Sequence, residues 1–186
     1  MPVVDVDPDE LRELTGHAEK SDAELKDDLF NLGLEYEGET DEGMMQLEFA
    51  PDRLDRLSVE GVARSLRYQY GDDQGVYVPD TNDAEWTFHV DESVPEERPY
   101  VTGAIVRDVN LTEDALDSLI QLQEKLHATM GRKRAKAAIG IHDLTMVKGQ
   151  SFDDDDGEPS ITYKGVDPDD DHFVPLDSDA EMTPAE

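Results

Sequence analysis

The chain has 186 residues, with 47 Asp and Glu against 16 Lys and Arg, a net charge of −31 and no cysteine. That length suffices for one or two domains with a substantial core, the missing thiols exclude disulfides and thiolate zinc sites, and the acidity argues against broad nucleic-acid affinity, DNA included, because phosphate binding needs clustered cations. The acids run along the whole chain, so the fold repels itself in dilute salt; a salt-rich medium, where screening shortens the repulsion to about 3 Å at 1 M ionic strength, suits this composition.

The segment Asp7-Pro8-Asp9-Glu10 has the capping aspartate, first-position proline and early acids of a helix start, with Leu11 and Leu14 inward and Gly16 as the stop. Ser21-Asp22-Ala23-Glu24 is a capping box; Leu25, Leu29 and Leu32 then form one stripe, closed by Gly33. Leu34–Glu37 and Gln46–Phe49 alternate apolar and acidic residues as half-buried strands do. Ser58 opens a third helix with Val59, Val62, Ala63, Leu66 and Tyr70 on its inner face and Gly71 after it. Residues 71–99 read as a connector, with β-prone Val76–Val78 and Trp86–Val90 between prolines. Beyond it, Tyr100–Val106 reads as a strand, and Thr112 caps a long helix with Leu116, Leu119, Ile120, Leu126 and Met130 inward, ending at Gly131. Ala137–Ile141 reads as a buried strand, residues 150–160 as an acidic loop, and Ile161–Tyr163 and His172–Leu176 as short strands. The expected class is α+β: a small N-terminal helical module with a short hairpin over 1–90, then an incomplete mixed α/β domain over 91–186. Thr183-Pro184-Ala185-Glu186 has the residues of another helix start, which points to a chain cut before its next element; a chance tail of common residues is the alternative.

Few constellations suggest chemistry. No phosphate-cradling glycine loop and no nucleophile elbow is present. The histidines His17, His89, His127, His142 and His172 are scattered and lack metal-pair spacing. Asp153–Gly157 fails the calcium-loop pattern, because Phe152 and Tyr163 stand where carboxylates belong, so no metal ligand is assigned. Arg132, Lys133, Arg134 and Lys136 form the basic cluster; they suit RNA phosphate or an acidic partner surface, or equally the carbonyl end of the preceding helix. His142 and Asp143 close an apolar run, a place where pockets form, although a turn aspartate binding its own backbone fits as well. No apolar run is long enough to span a bilayer and no signal peptide opens the chain, so the cytoplasm is the expected location and no membrane partner is expected.

Four segments, in order, resemble the archaeal and eukaryotic form of the phenylalanyl-tRNA synthetase β subunit. They are Glu48–Leu66 with its Leu57-Ser58-Val59-Glu60-Gly61-Val62-Ala63-Arg64 core, Ser118–His127, Ala138–Leu144, and Ile161–Tyr163 followed by Phe173–Leu176. Leu54 departs from the family's usual proline. The resemblance implies an α₂β₂ ligase that charges tRNA-Phe with ATP and magnesium, its active site in the α subunit. It makes 1–90 the N-terminal module and 91–186 the start of an editing domain that hydrolyses mischarged tyrosyl-tRNA. The expected function is thus that of a β-subunit fragment contributing to aminoacylation and proofreading without catalysing aminoacylation, binding no cofactor itself, with the α subunit and tRNA-Phe as partners. His142 and Asp143 are the editing-pocket candidates. A free-standing amino-acid-binding or trans-editing module acting on mischarged tRNA and a non-enzymatic docking module are the alternatives.

Overall fold

The structure, a computed structural model, describes residues 3–50, 53–144, 159–175 and 178–185. The fold is mixed α+β and divides into two units, residues 1–78 with 108–142 and residues 79–107 with 143–186.

The first unit begins with β1 (Val3–Val6), α1 (Pro8–Thr15), α2 (Asp22–Asn31), β2 (Leu34–Glu39) and β3 (Met45–Phe49), followed by α3 (Val59–Tyr70) and, from far along the chain, α4 (Glu113–Ala128). Each helix starts where a side chain satisfies the free N–H groups of its first turn. The Asp7 carboxylate accepts from the N–H of Asp9 and Glu10, Ser58 from Gly61 and Thr112 from Ala115, while Ser21 and Glu24 complete a reciprocal capping box. Gly16 and Gly71 end α1 and α3 in the left-handed conformation, with φ of 75° and 84°, which a residue with Cβ adopts only under strain.

The three strands form an antiparallel sheet in the order β1-β3-β2, with Val4 opposite Leu47 and Leu34 opposite Phe49. The period-2 alternation puts Val4, Val6, Leu34, Met45, Leu47 and Phe49 on one face. That face is fully buried with Leu11 of α1, Leu25 and Leu29 of α2, and Val62 and Leu66 of α3. The opposite face is acidic.

α4 joins this unit through polar contacts as well as through Leu122 and Leu126. Its Gln121 amide accepts from Asp5 N–H at 2.8 Å and donates to Asp5 C=O at 3.0 Å, mimicking the missing neighbour of edge strand β1. Ser118, buried, donates to Glu60 at 2.8 Å. The inward face of α4 therefore differs from the expected stripe: Leu116, Ile120 and Met130 are exposed, and Ser118 and His127 are buried. Those polar side chains satisfy groups on other elements that an apolar side chain would leave bare.

The second unit holds a two-stranded parallel sheet of β4 (Thr87–Val90) and β5 (Ser160–Tyr163), with Phe88 opposite Ile161. Gly165 packs so closely on Ser93 that a Cβ would come within 2.3 Å of its carbonyl oxygen. Phe173 and Met182 form an isolated antiparallel bridge in place of a strand over 172–176, of which Leu176 lies outside the described residues. Tyr100–Val106, Val76–Val78 and Ala137–Ile141 are not strands. They carry β-prone side chains, but among the described residues no backbone pairs with them, and a strand exists only as half of a pair. Thr183–Ala185 turns back onto Pro168 instead of starting a helix. The acidic loop read at 150–160 lies almost wholly outside the described residues. Residues 79–90 group with the second unit, and α4 returns to the first.

At the ends of α1, α2 and α3 lies a polar knot. His17 Nε2 is 2.9 Å from Asp72 and Nδ1 3.2 Å from Glu19, and the imidazole meets the Tyr70 ring edge-on at 4.5 Å. Tyr70 donates to Asp28 at 2.7 Å and Lys20 pairs with Asp28 at 2.8 Å. Burial pushes the Asp28 carboxyl up, but Lys20 and the Tyr70 hydroxyl outweigh it and hold the group below the usual range. Burial, then Asp28, holds the Tyr70 phenol above its ordinary value.

Two outcomes follow from these contacts. Gln121→Ala strips both bonds from the half-buried Asp5 peptide and is expected to cost about 1–2 kcal/mol, read as a lower urea midpoint with an unchanged slope in molar KCl. Asp72 first, then Glu19, raises the His17 pKa. That stabilisation is complete below the unfolded imidazole pKa of about 6.5 and is lost as pH rises through the raised folded value. Thermal melts of the native chain should therefore show a decline across that window that Asp72→Asn largely removes.

Candidate functional site

The basic cluster sits on a turn built by the last residues of α4. Gly131 comes so close to the chain behind it that a Cβ would lie 2.5 Å from Ala137 O and 2.9 Å from His127 O, so only glycine fits. Arg132, Lys133 and Arg134 then follow with φ of 47°, 56° and 66°. Three consecutive non-glycine residues in the left-handed region cost roughly 1 kcal/mol or more each, and the surroundings hold them there. Lys133 N–H donates to His127 C=O at 2.7 Å and Lys136 N–H to Gly131 C=O at 2.8 Å, capping orphan carbonyls of the helix end.

His127 is the centre of this turn. Its imidazole is 5% exposed. Arg134 Nε donates to Nδ1 at 3.0 Å, and Nε2 faces the Ile139 backbone, 3.0 Å from its N–H and 3.1 Å from its C=O. Arg134 Nη2 continues to Glu124 at 2.8 Å. The four cations thus separate: Arg134 is drawn back into the His127–Glu124 network, whereas Arg132, Lys133 and Lys136 are exposed. The histidine was visible in the sequence only as one of five scattered histidines; its spacing to Gly131 and Arg134 was the available signal.

His142 and Asp143 are both exposed on the segment that leaves the turn. The His142 ring folds back over Gly140, where a Cβ would lie 2.7 Å from Nε2. Ile139 and Ile141, flanking that glycine, are 42% and 49% exposed, so this run is not a buried strand end.

Glu35, Glu37 and Glu48 form the group of three carboxylates, among the described residues, close enough to share an ion. Glu35 stands directly opposite Glu48 across β2 and β3. They make up the acidic outer face of the sheet, and no glycine-rich backbone cradle of the kind that holds nucleotide phosphates stands beside them. The residues here do not fit an ATP–magnesium site. No helix among the described residues is long and apolar enough to cross a membrane.

Removing the His127 ring by His127→Ala is expected to release the turn while α4 persists. Limited trypsin digestion should then cut after Arg132, Lys133 or Arg134 much faster than in the native chain, at nearly unchanged helical circular dichroism.

No family model matches the chain. It is 74% identical over 186 residues to the "Phenylalanine--tRNA ligase beta subunit" of Halorubrum lacusprofundi, covering all of this chain and 32% of that one. It is 73% identical over 186 residues to the protein of that description from Haloarcula marismortui, again covering 32% of it. Among solved structures, it resembles an N-terminal fragment of the phenylalanyl-tRNA synthetase beta-subunit from Pyrococcus horikoshii, with a TM-score of 0.82 and 32% identity over 99% of this chain and 51% of that one. The chain spans about a third of the length of the curated relatives it matches, at 32% and 33%, and it belongs to the phenylalanine–tRNA ligase β-subunit family.

Proposed function

We propose that this chain serves tRNA-Phe aminoacylation and proofreading as part of the β subunit of an α₂β₂ ligase, and does not itself form the aminoacyl bond. The observation that carries this reading is similarity over the whole of this chain at 74% identity, joined to the fold likeness to a β-subunit fragment. In it, the α subunit and tRNA-Phe are the partners, and ATP and magnesium act elsewhere in the complex. The N-terminal module occupies residues 1–90, and the editing domain begins within 91–186. His142 and Asp143 lie at the proofreading pocket. Arg132, Lys133 and Lys136 meet RNA or a partner surface, with Arg134 holding the turn.

Apolar side chains left at the surface support a chain that works against other protein surface rather than as a self-contained hydrolase. Tyr100 is 92% exposed and Val106 75%, a costly arrangement for an isolated chain. A proofreading site discriminates by a hydrogen bond that only tyrosine's hydroxyl makes.

The isolated chain should give no Phe-dependent ATP–pyrophosphate exchange in molar KCl; exchange by this chain alone would overturn the division of labour. In the full-length β subunit paired with its α partner, His142→Ala should leave exchange intact and slow tyrosyl-tRNA hydrolysis about tenfold, the loss of one good hydrogen bond to the reacting end. Unchanged hydrolysis removes His142 from the pocket.

A further inference from the structure

Two adjoining clefts run along the outer side of α3, entirely within the first unit. The larger, about 360 Å³, is lined by Arg53, Arg56, Arg64, Ser65, Tyr68 and Gln69. The second, about 320 Å³, shares Arg64 and Tyr68 and extends to Gln74 and Tyr77. In a chain with only 16 Lys and Arg, three arginines face the first cleft against one described carboxylate, Asp55. Two of the three are committed within the fold, and Arg64 is the one exposed to the cleft.

The cations are fixed in different ways. Arg56 is 5% exposed, its Nη1 donating to Leu32 C=O at 2.7 Å and its Nε to Ser65 Oγ at 3.1 Å. Arg53 makes a two-pronged pair with Asp55 at 2.9 and 2.8 Å. Arg64 is exposed, one helical turn before Tyr68, and its guanidinium lies 4.8 Å from the centre of the Tyr77 ring. The carboxylate of the second cleft, Asp73, is engaged by Arg67 at 2.9 Å. Arg64, Tyr68 and Tyr77 all stand outside the buried core, so the fold does not account for their chemistry.

We infer that this double cleft binds a short stretch of single-stranded RNA, with a phosphate against the exposed Arg64 and two successive bases against the faces of Tyr68 and Tyr77. Each cleft falls in the size range of small-molecule sites, and the repetition of one aromatic face per cleft around a shared arginine matches a strand better than one nucleotide. Guanidinium supplies bidentate phosphate recognition and tyrosine a face on which any base stacks. Stacking is insensitive to screening, which suits a chain built for salt. The inference rests on the tRNA-ligase reading only for its choice of RNA.

The test is fluorescence anisotropy of a labelled tetraribonucleotide with the 186-residue chain, at moderate and at molar KCl, with unlabelled competitors. Arg64→Gln and Tyr68→Leu replace exposed side chains, so circular dichroism should stay native while each weakens binding about tenfold, the size of one lost base stack or arginine contact. Lys164→Gln, at an exposed cation given no role in binding, should bind like the native chain. AMP should compete at least tenfold more weakly than unlabelled tetranucleotide, and inorganic phosphate more weakly still. No binding at millimolar chain, or native affinity in both cleft variants, overturns the inference. So does equal competition by AMP, or by an Asp/Glu tetrapeptide, which would make the cleft a site for a single nucleotide or for an acidic peptide. Pyrophosphate exchange and tyrosyl-tRNA hydrolysis read the subunit assignment separately, so failure here leaves that reading standing.

Discussion

The side-chain amide of Gln121 holds two distant parts of the sequence together. β1 is an edge strand, and an edge leaves peptide groups without partners. Gln121 offers one acceptor and one donor at peptide-like spacing to Asp5, 116 residues away in sequence. Once that pair is made, Ser118 reaches Glu60 in the first turn of α3, and Leu122 and Leu126 settle on the leucine core. The C-terminal end of α4 is then placed, and with it the His127 turn and its exposed cations. The same contact explains why the first unit is discontinuous in sequence.

Charge is the second constraint. With so few cations, several are committed to particular acids. Arg12 bridges Asp9 and Asp22, Lys20 holds Asp28, Arg53 holds Asp55, and Arg134 holds Glu124. Isolated surface pairs contribute little, about 0–1 kcal/mol each, so their role is to relieve local repulsion where acids crowd. Where none is available the cost shows: Glu10 has its pKa raised by burial and then by Glu60 and Asp114, the acids in the first turns of α3 and α4. Screening in concentrated salt lowers that cost between exposed groups far more than it weakens the apolar core.

Helix starts were the most legible feature, because Asp7, Ser21, Ser58 and Thr112 each satisfy local N–H groups and need no tertiary knowledge. The stripe of α3 was equally legible, since Val62 and Leu66 meet a core made of neighbouring elements. Strands failed wherever pairing lay outside the local sequence: Val3–Val6 is too short to announce itself, and Tyr100–Val106 looks like a strand but has no partner among the described residues. The face of α4 was misjudged because apolar periodicity takes no account of Ser118, Gln121 and His127, whose burial is set by what they bond to. Arg132 and Lys133 were found by charge; their left-handed backbone was not, because non-glycine residues carry no such signal and only Gly131 before them hints at it. His142 and Asp143 came from their place at the end of an apolar run and from the resemblance, and their exposed position adds no geometric reason to select them.

The two cationic places on the first unit differ in what salt does to them. Arg132, Lys133 and Lys136 are exposed point charges on a turn, so anything they attract is lost by counterion competition as salt rises. Arg64 sits in a concave surface between Tyr68 and Tyr77, where part of the attraction is contact between planar faces and part is the guanidinium fork. In dilute salt the surrounding acids would repel an RNA strand from both. In molar salt that repulsion is confined to a few ångströms, and the advantage passes to the site whose contacts are short-ranged. A chain with a net charge of −31 therefore recognises a polyanion best by shape and stacking, with few cations held in fixed positions, and α3 carries that arrangement.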